Sequence, residues 1–352
     1  MDFFSRKFSF KEGDPAVLIG EIGVNHNGDP ALARKLIDVA ADAGVDIAKF
    51  QVFKSEDEIS RFAALAPYQQ ENAVDAANQL ELCKALELSP SAMREMKAHC
   101  AARGVGFLCS VFDFGSVDFV VDDLKARALK VASGEISNIP FLEYIGGKKV
   151  GVILSTGAST LEEAETAVAA LRRGGCPEIV VLHCVSNYPA PARDLNLRAM
   201  ASLRAKLKLP VGFSDHSTGI EMACAAAALG AVAIEKHFTL DRSMEGPDHA
   251  ASIEPRELKQ LVDSVAAVRA ALGDGVKRPM PSEMANLPLI RKGLVAKGPL
   301  KKGARLTRAT IAIKRPADGI APGDIERVIG RTLMRDLADD EPITWESVGG
   351  QA

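Results

Sequence analysis

The sequence predicts a (β/α)8 barrel followed by a small, mostly β domain, and three observations carry that prediction. Eight short apolar runs rich in β-branched residues recur between residues 16 and 238. Helix-like stretches separate them, several opening on an Asp, Ser or Thr and closing on a glycine. After about residue 280 the rhythm changes to short β-type segments broken by Gly and Pro.

In chain order the runs are AVLIGEIG (16–23), DIAKFQV (46–52), VGFLCS (105–110), ALKVASG (128–134), VGVILST (150–156), EIVVLHCV (178–185), PVGFSDH (210–216) and AVAIEKHF (231–238). The stretches between them are DPALARKLIDVAADAG, SPSAMREMKAHCAARG, GSVDFVVDDLKA, TLEEAETAVAALRRGG, LRAMASLRAKL and TGIEMACAAAALG, with EPRELKQLVDSVAAVRAALG after the eighth run. Buried strands alternating with helices mean a parallel sheet covered on both faces. Eight such units in roughly 250 residues fit a closed barrel better than an open sheet. A doubly wound sheet would carry a G-x-G-x-x-G fingerprint after its first strand, and GEIGVNHNG lacks that spacing. The expected organisation is a catalytic barrel over 1–280, a linker over 281–290 around PMPSEMANLP, and a small domain over 291–352.

Composition narrows the function. The 352 residues are 47% apolar and 25% charged, with a net charge of −3. Lys and Arg are scattered, which argues against nucleic acid or an anionic membrane as partner but leaves a small anionic substrate open. The six cysteines form no CxxC pair, and several sit in apolar runs, so reduced, buried thiols are expected. MDFFSRKFSFKEGD is too polar for a signal peptide, and no segment approaches the ~18 apolar residues of a membrane span, so a cytoplasmic protein is expected.

A barrel of this kind carries its chemistry at the C-terminal ends of its strands. All eight runs end in polar groups. They are Glu21; Lys49 and Gln51; Ser110; Lys130, Ser133 and Glu135; Ser155 and Thr156; Ser186, Asn187 and Tyr188; Ser214, Asp215 and His216; Glu235, Lys236 and His237. One Ser in such a place is commonly a turn or helix cap, and Ser155–Thr156, which precede a helix, suit that role. Together, Lys49, Lys130 and the five serines make a cationic, hydroxyl-rich cradle suited to a phosphate and a carboxylate. His216 and His237 end consecutive strands and can converge on one divalent ion such as Mn²⁺, although hydrogen-bonded structural histidines are the alternative. His26 and His183 read as core-edge histidines.

Several segments resemble the bacterial N-acetylneuraminate synthase family, which includes legionaminic, pseudaminic and spore-coat polysaccharide synthases. They are GEIGVNHNG (20–28), AGVDIAKFQVFK (43–54), KVASGE (130–135), ILSTGAST (153–160), LHCVSNYPAP (182–191), GFSDHSTG (212–219) and IEKHFTLDRSMEGPDHAASIEPRELK (234–259). AIKRPADGI (312–320) is similar to that family's antifreeze-like (SAF) domain. The resemblance implies condensation of phosphoenolpyruvate with an N-acylated hexosamine and release of phosphate. It implies that Lys49, Ser110, Lys130, Ser133, Ser155, Ser186 and Ser214 hold phosphoenolpyruvate and that His216 and His237 bind the metal. Glu21, Gln51, Glu135, Tyr188 and Asp248 would face the sugar, with Glu21 or Glu135 as acid or base. Arg315 would reach the sugar's acyl group from the partner of a domain-swapped homodimer. Ser110 stands where the family usually has Thr, and VSNY (185–188) departs from the usual sixth-strand sequences. The competing readings are another phosphoenolpyruvate or aldol-type barrel enzyme, such as a Schiff-base aldolase, and a non-catalytic polysaccharide-assembly protein.

Overall fold

The computed structural model describes residues 8–65 and 78–349. Eight parallel strands close into a barrel in sequence order: β1 (Val17–Gly23), β2 (Ile47–Val52), β3 (Gly106–Val111), β4 (Ala128–Val131), β5 (Gly151–Ser155), β6 (Ile179–Cys184), β7 (Val211–Asp215) and β8 (Ala233–His237). Pairing of β1 with β8, Glu21 opposite His237, completes the ring.

The helices that follow the strands are α1 (Pro30–Ala43), α2 (Pro90–Arg103), α3 (Phe114–Asp118), α4 (Ile139–Gly147), α5 (Leu161–Gly174), α6 (Ala199–Leu207), α7 (Glu221–Ala228) and α8 (Pro255–Leu272). Their ends follow from local chemistry. Asp29 caps α1 by accepting from the Ala31 N–H, Pro30 occupies the first turn, and Gly44 ends the helix at φ 87°. Thr160 and Glu163 form a capping box at the start of α5. The helix α4 is absent from the sequence expectation. It has no side-chain cap and is almost wholly apolar, with Phe141, Leu142 and Ile145 buried, so no amphipathic stripe marks it.

Alternation sorts each strand's side chains between two cores. Outward residues pack with the helices in a large apolar shell that includes Phe50, Leu129, Leu154, Val181, Phe213 and Ile234. Inward residues fill the lower barrel, where Val17, Ile19, Ile47, Leu108, Ile153, Val180 and Leu182 pack with Phe10 of the N-terminal arm. Among the described residues, no helix is long and apolar enough to cross a membrane.

The chain divides into two compact units, Met1–Gly273 and Asp274–Ala352. The second contains an antiparallel pair, β9 (Gly293–Ala296) and β10 (Ile311–Lys314), over a small core of Leu294, Leu306, Ile320, Val328, Leu333 and Ile343. All six cysteines are free thiols. Burial pushes Cys100 up to about 12, as befits packing rather than reactive thiols.

Candidate active site

Residues from all eight strand ends surround a cavity of about 140 Å³ at the C-terminal mouth of the barrel. Glu21, Lys49, Gln51, Ser110, Lys130, Ser133, Ser155, Ser186, Tyr188, Ser214, His216 and His237 all line it, together with Glu235.

The floor is an ionic network. Lys49 Nζ lies 3.0 Å from Glu21 Oε2 and 3.5 Å from Glu235 Oε2, and donates to Ser110 Oγ at 3.0 Å. Burial raises the Glu21 pKa, outweighing the Lys49 ammonium, and the charge of Glu235 adds to the rise. Burial opposes the Lys49 ammonium, but Glu21 and Glu235 overcome it and hold its pKa above the usual value. Burial also opposes ionisation of Glu235, yet Lys49 and Lys130 pull it down to about 2. Two adjacent carboxylates therefore differ in character: Glu235 is a fixed anion and Glu21 is the one able to hold a proton.

Lys130 is buried and makes no ion pair among the described residues. Its Nζ donates to Ser155 Oγ at 2.7 Å and to the Val131 carbonyl at 3.0 Å, and burial lowers its pKa. Ser155 is thus a partner of Lys130 and not a cap; Thr160 caps the helix that follows. Above Lys130, Ser133 Oγ accepts from the Gly157 N–H at 2.8 Å. A Cβ on Gly157 would stand 2.2 Å from Ser186 Oγ and 2.9 Å from Ser133 Oγ, so glycine keeps these hydroxyls converging. A cation and several hydroxyls around a small void have the chemistry to receive an anion, and the Gly157 N–H orients one of those hydroxyls.

Across the cavity, His216 and His237 bring their rings to 5.5 Å between centroids. His216 Nδ1 lies 2.7 Å from the Val185 carbonyl, which can only accept, so Nδ1 carries the proton and the Nε2 lone pair faces the cavity. Tyr188 stacks on His216 at 4.2 Å and its hydroxyl donates to Nε2 at 3.2 Å. Burial lowers the His216 pKa to about 4 and that of His237 well below its usual value. Among the described residues, His237 Nδ1 is buried without a hydrogen-bond partner. Two neutral imidazoles, one oriented by a carbonyl and one with an orphaned nitrogen, fit a divalent ion of the Mn²⁺ type. Asp248 Oδ2 lies 3.7 Å from His237 Nδ1, and burial, with the charge of Glu21, raises its pKa to about 7.

Gln51, Tyr188 and His237 also line a neighbouring cavity of about 130 Å³, walled by Asp248, Phe53, Leu82, Phe112, Glu58 and Cys83. Two expectations come out differently. Asp215 and Lys236, grouped above with the rim, pair with each other on the outer face of the barrel. Glu135 does not line either cavity and accepts from Asn138 Nδ2 at 2.8 Å. Arg315 is an exposed residue of the second unit. Glu235 was visible as a polar strand end but not as a member of the site; its inward register opposite Ser214 marks it.

An eight-stranded parallel barrel with a cationic, hydroxyl-lined mouth and a facing histidine pair has the layout of a barrel enzyme. The NeuB family model matches residues 36–277 and the SAF domain model residues 291–349. The chain is 44% identical to N,N'-diacetyllegionaminic acid synthase of Campylobacter jejuni, covering 93% of this chain and 98% of that one. It is 34% identical to human N-acetylneuraminate-9-phosphate synthase, with 95% and 93% covered. The solved N-acetylneuraminic acid synthetase of Leptospira borgpetersenii superposes with a TM-score of 0.69 at 36% identity, covering 78% of this chain and 90% of that one. The chain belongs to the NeuB family and ends in a SAF domain, and its curated relatives include sialic and legionaminic acid synthases.

Proposed function

We propose that the chain condenses phosphoenolpyruvate with an N-acylated hexosamine of the N-acetylmannosamine type and with water, forming a nonulosonic acid and releasing phosphate. The observation that supports this best is Lys130, a buried ammonium that donates to Ser155 Oγ and the Val131 carbonyl, makes no direct ion pair among the described residues, and feels the Glu235 carboxylate only at longer range. A dianionic phosphate supplies the missing charge.

Lys130, with Ser133, Ser155 and Ser186, holds the phosphate, and Lys49 and Ser110 hold the carboxylate. The open-chain sugar lies toward Gln51, Tyr188 and Asp248, its aldehyde carbon within reach of phosphoenolpyruvate C3. C3 attacks that carbon, and the aldehyde oxygen takes a proton held at Glu21. Water adds at C2 with loss of a proton, and the resulting tetrahedral centre expels phosphate by C–O cleavage. Lys130 neutralises the charge that grows on the departing group. His216 and His237 would hold a divalent ion, which supplies Lewis acidity at the carbonyl.

Phosphate release from phosphoenolpyruvate with a panel of amino sugars and Mn²⁺ tests the reading; no release with any of them overturns it. EDTA should abolish turnover and Mn²⁺ restore it, whereas full activity after exhaustive chelation removes the metal. The lowered pKa of Lys130 also suits a Schiff-base aldolase, and borohydride inactivation in the presence of substrate would favour that reading. For Arg315 we propose service to a second copy's barrel. Mixed dimers of Arg315→Ala and His216→Ala chains should then recover up to about half the wild-type activity, and no recovery in demonstrated heterodimers refutes it.

A further inference from the structure

The outer face of the β7–β8 pair carries a charge pair where its neighbours carry hydrocarbon. One rung lower, Phe213 lies opposite Ile234, and both are buried in the apolar shell between barrel and helices. The next outward rung is Asp215 opposite Lys236, each about 1% exposed. Lys236 Nζ lies 2.9 Å from Asp215 Oδ2 and also donates to the Ser217 carbonyl. Asp215 Oδ1 accepts from the Ser217 N–H at 2.9 Å and from Ser217 Oγ at 2.6 Å.

Burying two charges in such a layer is costly, and packing alone would be served as well by another apolar rung. An ion pair differs from that rung in having one direction and one length. Its place in the sequence is what matters. Asp215 and Ser217 flank His216, so their mutual hydrogen bonds fix the backbone on both sides of that ring's root. Lys236 immediately precedes His237, whose Nδ1, among the described residues, has no hydrogen bond to orient it.

We propose that Asp215 and Lys236 are positioning residues whose ion pair, tied to Ser217, clamps β7 to β8 and sets the spacing at which His216 and His237 present their nitrogens to a divalent ion. The inference rests on the metal reading above. Neither residue lines the cavity, so neither touches substrate.

The test is the double variant Asp215→Leu/Lys236→Met, which removes both charges together and leaves none buried alone. Thermal unfolding reports the fold, the free-ion electron paramagnetic resonance signal reports Mn²⁺ affinity, and the His216 ring N–H resonance, in ¹⁵N-histidine-labelled protein, reports ring geometry without metal. We expect a folded protein that binds Mn²⁺ about 10- to 100-fold more weakly, as for other groups that orient metal ligands, with an exchange-broadened His216 signal. If the double variant does not fold, Asp215→Asn, which keeps the shape and weakens the pair, should show the same effects to a smaller degree. A folded variant with wild-type Mn²⁺ affinity overturns the proposal. A wild-type protein that takes up no Mn²⁺ overturns the metal reading instead. The histidine resonance then decides alone: an unchanged signal refutes the clamp and a broadened one supports it.

Discussion

The two ends of the barrel are built from the same strands and differ by two residues. Along β1 the inward side chains run Ile19 then Glu21; along β2, Ile47 then Lys49; along β3, Leu108 then Ser110; along β5, Ile153 then Ser155. A period of two keeps these pairs on one face, so each strand passes from the apolar layer into the polar one in a single step. The lower layer is closed by Phe10 and built from aliphatic side chains. The upper layer crowds Glu21, Lys49, Lys130 and Glu235 into a space that water barely reaches. Stability comes from the first layer and is given up in the second, which is why the two should answer differently to mutation.

The largest effect is expected at Lys130. Lys130→Met should lower kcat/KM for phosphoenolpyruvate by about 100- to 1000-fold, or roughly 3–4 kcal/mol, because a charge-assisted phosphate contact is lost. The melting temperature should stay near wild type, since the cost of burying the cation goes with it and Lys49 and Ser214 still hold Glu235. A variant that unfolds while keeping its specific activity would reverse the assignment of the two layers. Ile153→Ala, two residues below Ser155, should do the opposite. It should cost about 2–5 kcal/mol in denaturant unfolding and leave kcat near wild type in the fraction that stays folded.

The smallest effect sharpens the boundary. Asp248 titrates near 7 in the folded chain and near 3.9 unfolded. The folded state therefore binds the extra proton, and the stability this adds is full below about pH 4 and lost as pH rises through 7. In chelated protein, Asp248→Asn should melt above wild type by at least about 2 °C more at pH 8 than at pH 5. A difference that does not change with pH would mean Asp248 is not held protonated.

Much of this was legible before any coordinates. Seven of the eight β-rich runs end within one residue of their strands, because apolar composition and turn signals coincide there; the fourth overshoots Val131 by three. The rim could be read because Lys49 and Lys130 have no reason to sit in an apolar run other than a partner. Facing was harder to read. Asp215 and Lys236 adjoin four cavity residues, and only the alternation phase, fixed by pairing Ser214 with Glu235, turns them outward. Ser155 precedes a helix and looks like a cap until Lys130 is seen to bind it. The walls of the second cavity were not legible, because Leu82 and Cys83 come from a helix, Gln79–Leu86, inserted between β2 and α2.

Gly157 stands so close to the hydroxyls of Ser133 and Ser186 and the thiol of Cys184 that even a methyl group there would overlap them, at 2.2 Å from Ser186 Oγ. These side chains are therefore locked like type in a frame: Gly157→Ala would drive a one-carbon wedge between them and push Ser186 and Ser133 out of register at the barrel mouth.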